Sequence, residues 1–131
     1  MLTHQTIFAF YAALNGLILL ILGMLVTRAR VKTQTTILDA GKEEVIRAVR
    51  AHANAAEYIP IALLLMIALA WLQAPMWLMH VVGASLTIGR ILHGYALHQS
   101  LGVTTARFIG TNLTWISILV GSIATLVYAF F

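Results

Sequence analysis

There is no cysteine in this sequence, which removes disulfides and thiolate metal sites from consideration. Charge is nearly as scarce. Eight Lys or Arg and four Asp or Glu make up 9% of 131 residues, where a soluble domain carries about 25%. Only two prolines interrupt the chain. Against these shortages, 61% of the residues are hydrophobic and the mean hydropathy is +0.94. A water-soluble fold of this size cannot hide so much apolar surface, so the sequence predicts an integral membrane protein. In a soluble chain, a pI near 10.0 would suggest nucleic acid. Here the basic residues sit between apolar runs, where membrane topology accounts for them, and no nucleic-acid partner is expected. No separate soluble domain fits, and residues 1–131 read as one domain.

Four runs reach the roughly 20 residues needed to cross a hydrocarbon core: about 7–26, 51–72, 76–97 and 108–131. Spanning barrels alternate polar and apolar residues along each strand. These continuous runs instead predict an all-α bundle of four transmembrane helices. The first run is not a good cleavable signal, because no Lys or Arg precedes it and Arg28 follows it. Arg28, Arg30, Lys32, Lys42, Arg47 and Arg50 fall between the first two runs, and His98 and Arg107 flank the third link. The second link, Gln73 to Pro75, has no charge. The bias of basic loops toward the cytoplasm then places both termini outside. Trp71, Trp77, Tyr128, Phe130 and Phe131 fall at the outer ends, as an interfacial aromatic belt does.

The second run carries the densest polar pattern. Asp39 or Gly41 is expected to cap a helix with Glu43 and Glu44 in its first turn, where the helix dipole favours acids. Continued to Leu72, that helix is about 46 Å long against a core of about 30 Å. Pro60 is expected to kink it by removing a backbone donor. Arg47, Arg50, Asn54, Glu57 and Ile61 follow 3-4-3-4 spacing and share a face, with Tyr58 at its edge. His52 points about 160° away from Arg50 and serves another neighbour. A lone Arg–Glu pair would read as glue between helices. Several polar groups on one face at membrane depth point instead to a binding site. The arginines can take carboxylates bidentately and Glu57 can take an ammonium, which suits a small zwitterion.

The third run supplies a second set, Arg90, His93 and Tyr95 in Gly-Arg-Ile-Leu-His-Gly-Tyr-Ala, with His98 beyond. Arg90 lies at a depth comparable to Asn54 and Glu57, so the two sets are expected to meet. His93 and His98 fit interfacial anchoring or the site, and His80 reads as an interfacial residue. Arg107 fits either a basic flank of the fourth helix or a cationic partner for a sulfur anion at that helix's N-terminus.

Residues 50–60, Arg-Ala-His-Ala-Asn-Ala-Ala-Glu-Tyr-Ile-Pro, resemble the second-helix signature of the MAPEG superfamily. These are the membrane-associated proteins of eicosanoid and glutathione metabolism, among them the microsomal glutathione transferases. Length, span number, topology and the basic first loop agree, and the small bacterial members are the most similar. The resemblance implies a homotrimer with glutathione bound between neighbouring subunits near the cytoplasmic side of a bacterial inner membrane. It implies glutathione contacts from Arg50, Asn54, Glu57 and Tyr58, with His52 in a slot that is His or Gln in relatives and Tyr95 as a further candidate. Arg47, Arg90 and His93 join the expected glutathione site as members of the two polar sets. The stretch His93-Gly-Tyr95-Ala is similar to a Gln-Gly-Tyr-Ala stretch of leukotriene C synthase. Arg107 stands in the region of the family's thiolate-stabilising arginine, although Gly-Val-Thr-Thr-Ala-Arg-Phe around it departs from the eicosanoid enzymes.

The expected chemistry is a glutathione-dependent transferase or peroxidase. An arginine beside the sulfur raises the thiolate fraction of a thiol whose ordinary pKa is about 8.5. Apolar electrophiles or lipids enter from the bilayer, and no metal is required. Two other readings are a non-catalytic glutathione- or lipid-binding protein of the same fold and a small multidrug-type transporter. The acid in the second run rather than the first counts against the transporter. A haem protein is weaker still, since His80 lies about four turns from His93.

Overall fold

The computed structural model describes residues 3–131. It is all-helical: α1 (His4–Thr33), α2 (Glu43–Trp71), α3 (Met76–Gln99) and α4 (Thr105–Phe130). Three of them, α1, α2 and α4, are long and apolar enough to cross a membrane. The expectation of four such runs is thereby narrowed. At 24 residues α3 is about 36 Å long, but it carries the polar groups that join the bundle. Among the described residues α1 and α4 each pack on both α2 and α3 and do not touch each other. The α2·α3 pair is therefore the centre, with α1 on one side and α4 on the other.

Local sequence explains the elements and corrects their ends. Thr3 caps α1 by accepting from the Thr6 amide at 3.1 Å, and Thr104 caps α4 by accepting from the Arg107 amide at 3.2 Å. Helix α1 runs beyond the expected boundary near residue 26, so Arg28, Arg30 and Lys32 lie in its last turns rather than in a loop. There the helix dipole favours cations. Neither Asp39 nor Gly41 caps α2. Lys42 holds that position without a side-chain capping bond, its Nζ donating instead to the Thr33 carbonyl at the end of α1. Asp39 instead accepts from the Gly41 amide at 2.9 Å and closes a turn in the loop, with Gly41 at φ 69°. Helix α2 passes through Pro60 as one element of 29 residues, about 44 Å. The α2–α3 link closes with the Ala74 amide on the Leu69 carbonyl at 3.0 Å.

The buried stripe of α2 is Val45, Ala48, Ala51, Ala55, Ile59, Ala62, Met66 and Leu69, a 3-3-4-4-3-4-3 spacing that keeps one face inward. Its alanines let neighbouring backbones approach closely, which is how helices gain contact energy inside lipid. An apolar cluster around Tyr11, Met66, Leu69, Met79 and Val82 fills one end of the bundle. Others around Leu22, Ala51, Ala55 and Leu97, and around Ala29, Val45 and Ala48, fill the opposite end. Between these ends lies a belt of buried polar side chains, Asn15, Thr87, Arg90, Thr114 and Ser117. The outer faces of α1 and α4 carry exposed Leu17, Leu20, Ile21, Leu119, Ile123 and Leu126. Trp71, Trp77, Tyr128, Phe130 and Phe131 are exposed at one end, as the aromatic belt requires.

Candidate functional site

Arg90 is the centre of the polar belt. It is 2% exposed, and its guanidinium ties three helices together. Nη1 donates to Asn54 Oδ1 of α2 at 2.7 Å, while Nε and Nη2 donate to Thr114 Oγ1 of α4 at 2.9 and 2.5 Å. The Tyr58 ring sits 5.5 Å from the guanidinium carbon, within cation–π range. The Thr114 hydroxyl in turn donates a hydrogen bond to the Gly110 carbonyl at 2.9 Å. The expectation that the two polar sets meet is met at Asn54, Tyr58 and Arg90. No carboxylate pairs with Arg90 among the described residues. Its charge is held by neutral acceptors and a π face, so it remains a positive focus inside the bundle.

That reach depends on how closely α3 and α4 cross. A Cβ on Gly89 would lie 2.8 Å from the Gly110 carbonyl oxygen, and one on Gly110 would lie 2.7 Å from the Gly89 carbonyl oxygen. Only two glycines allow this contact, which brings Thr114 within reach of a side chain rooted one residue after Gly89.

The remaining polar face of α2 divides by direction. Arg47, Arg50, Asn54 and Tyr58 each precede a buried position by one residue, so they flank the buried stripe about 100° to one side. Asn54 turns to Arg90. Arg47 donates to the Gln99 carbonyl at the end of α3 at 3.0 Å and lies 3.8 Å from Glu43. Arg50 and Glu57 are exposed, with no ion pair among the described residues. Seven residues apart, they stand about 10 Å from each other along the axis. His52 follows a buried position and faces the opposite way, as its spacing indicated. It packs against Gly23 of α1, in an open groove of about 990 Å³ shared with Arg28 and Lys32. Within one protomer His52 therefore stands apart from Arg50, Asn54 and Glu57.

On α3, His93 is buried one turn beyond Arg90, while Tyr95 and His98 are exposed. Tyr95 faces the α1–α3 groove and does not reach Asn54 or Glu57. Arg107 donates through Nη1 to the Leu101 carbonyl at 2.8 Å and to that of Gly102 at 3.4 Å, bracing the α3–α4 loop. Nε and Nη2 make no hydrogen bond among the described residues.

Thr114 and Asn15 were not singled out in the sequence. Asn15 is fully buried and donates to Thr87 Oγ1 and the Tyr11 carbonyl, both at 2.9 Å. An Asn in a long apolar run was the available signal, since a buried amide needs partners on another helix. For Thr114 there was none. His80, read as interfacial, is exposed but hydrogen-bonds the Tyr11 hydroxyl through Nδ1 at 3.0 Å, linking α3 to α1. No group of three or more His, Cys, Asp or Glu is placed to hold a metal among the described residues.

Residues 8–127 match the model of the MAPEG family. The chain is 37% identical over 120 residues to the inner membrane protein YecN of Escherichia coli K12, covering 92% of this chain and 90% of that protein. The protein of the same name from Escherichia coli O6:H1 matches to the same extent. No solved structure matches the chain.

Proposed function

Because the chain belongs to the MAPEG family, we propose that it is a glutathione-dependent transferase or peroxidase of the membrane. The observation that carries this reading is the unpaired Arg50 and Glu57, exposed on α2 beside the buried Arg90. Opposite charges at membrane depth are costly unless something covers them. Glutathione offers two carboxylates for Arg50 and Arg47 and an ammonium for Glu57. Arg90, short of a counter-charge, keeps the surroundings favourable to an anion.

The second half of the site comes from a neighbouring subunit. His52, Arg28 and Lys32 share a groove on the other flank of α2. A ring of copies would set one protomer's His52 groove against the next protomer's Arg50–Glu57 face, and heterologous contacts of that kind close into cyclic oligomers. A homotrimer is the proposed assembly, with the α1–α2 and α3–α4 loops toward the cytoplasm of a bacterial inner membrane.

The chemistry follows from proximity and charge. Arg107 lies in the first turn of α4, where the dipole adds to its charge. It retains free guanidinium donors to stabilise a thiolate. Loss of the thiol proton to water leaves a sulfur anion that attacks an electrophilic carbon arriving from the bilayer and displaces its leaving group as an anion. With a lipid hydroperoxide it attacks the outer oxygen, the O–O bond breaks to release the alcohol, and a second glutathione reduces the resulting sulfenic acid to the disulfide and water. Calorimetric titration of the detergent-solubilised protein with glutathione tests the reading. Saturable binding is expected, with thiolate absorbance near neutral pH that falls in Arg107→Ala. Absence of binding overturns the proposal. Binding without thiolate absorbance favours the non-catalytic alternative.

A further inference from the structure

Two cavities at the loop end of the bundle run into each other, and the first shares Arg28, Lys32 and Arg47 with the proposed thiol site. One, about 390 Å³, is lined by Arg28, Lys32, Glu44, Arg47 and His98. Lys32 neutralises Glu44 at 2.9 Å. Arg28 and His98 make no side-chain hydrogen bond among the described residues and are exposed. The other, about 280 Å³, is a largely apolar groove between α1 and α3, walled by Ile18, Ile21, Leu22, Ile91, Gly94 and Tyr95, with Arg90 also lining it. Leu25 and His98 line both. From Leu25 back to Ile18, and from His98 back to Ile91, the groove runs seven residues along each helix, about 10 Å.

We propose that the two cavities form one binding site for an anionic phospholipid. The phosphate sits among Arg28, Arg47 and His98, and an acyl chain follows the groove toward the middle of the bilayer. The order of chemistry argues for a lipid rather than another helix. Net positive charge lies at the end where the loops begin, and predominantly apolar walls lie on the membrane side of it. That is the sequence of headgroup and tail in the leaflet facing the loops. Basic groups at this level attract anionic lipids, and the groove adds buried apolar area that a soluble phosphate cannot use.

The test is native mass spectrometry of the delipidated protein with equal amounts of dioleoyl phosphatidylglycerol and dioleoyl phosphatidylcholine. Preferential retention of phosphatidylglycerol is expected. Arg28→Gln should cut that retention about fivefold, and His98→Gln should lower it by less. Ile21→Trp, at an exposed position, should block the groove and lower retention of both lipids without touching the core. Equal retention of the two lipids by the wild type overturns the proposal, as does an unchanged preference in Arg28→Gln. Displacement by glycerol 3-phosphate at a comparable concentration would show a phosphate site rather than a lipid site. Displacement by glutathione would assign the basic pocket to the thiol site, and the lipid proposal fails while the thiol reading stands.

Discussion

At the scale of single residues, two kinds of polar group share α2 and behave differently. Asn54 is spent on holding Arg90, whereas Arg50 and Glu57 have nothing to hold within the protomer. Thr114→Val should leave the Arg90 Nε donor unsatisfied in the interior, with Nη2 holding only the Gly110 carbonyl at 3.5 Å, and cost about 1–3 kcal/mol, seen as a lower unfolding temperature in detergent. Arg50→Ala and Glu57→Gln should leave that temperature nearly unchanged and each weaken glutathione binding, since a charge-assisted contact contributes about 1.5–3 kcal/mol. The contrast is the prediction. If the α2 variants bind normally, the site is elsewhere, and if they unfold, those residues are packing groups.

At the scale of elements, the α3–α4 crossing sets the position of Arg90. Gly89 and Gly110 place their backbones against each other, so even one methyl on Gly110 has a carbonyl oxygen 2.7 Å away. Gly110→Ala should push the helices apart, destabilise by about 1–3 kcal/mol and draw Thr114 away from Arg90. Gly16→Ala, where a Cβ meets nothing within 4 Å, is the matched control and should be neutral or slightly stabilising by helix propensity. Thermal unfolding of both variants in the same detergent checks this, and equal melting would show that the crossing is not tight.

At the scale of the whole molecule, the protomer leaves charged groups and long apolar faces uncovered together. Lipid suits the exposed leucines and isoleucines of α1 and α4 but not Glu57. Assembly is therefore expected to be a condition of ligand binding. Native mass spectrometry should show three chains, and dilution into harsher detergent should lose glutathione binding as the oligomer dissociates. A stable monomer that still binds glutathione would contradict the shared site.

Much of this was legible in the sequence because it follows from local rules. Scarce charge and long apolar runs dictate helices in a membrane. The 3-4-3-4 spacing put Arg47, Arg50, Asn54 and Glu57 on one flank and His52 on another, because helical geometry alone fixes angular position. The ends were less legible. Lys42 took the position assigned to Asp39 or Gly41, and α1 ran on to Thr33, because cap choice depends on competing local bonds of similar strength. Only the tertiary structure decided which of the like-facing groups are bound and which are free. Arg90 reaches Asn54 and Thr114 because two glycines far apart in sequence allow two helices to touch, and no periodicity within one helix reports its distance from another. Arg107 braces a loop and Tyr95 faces away from Asn54 for the same reason, since side-chain partners are set by packing across helices.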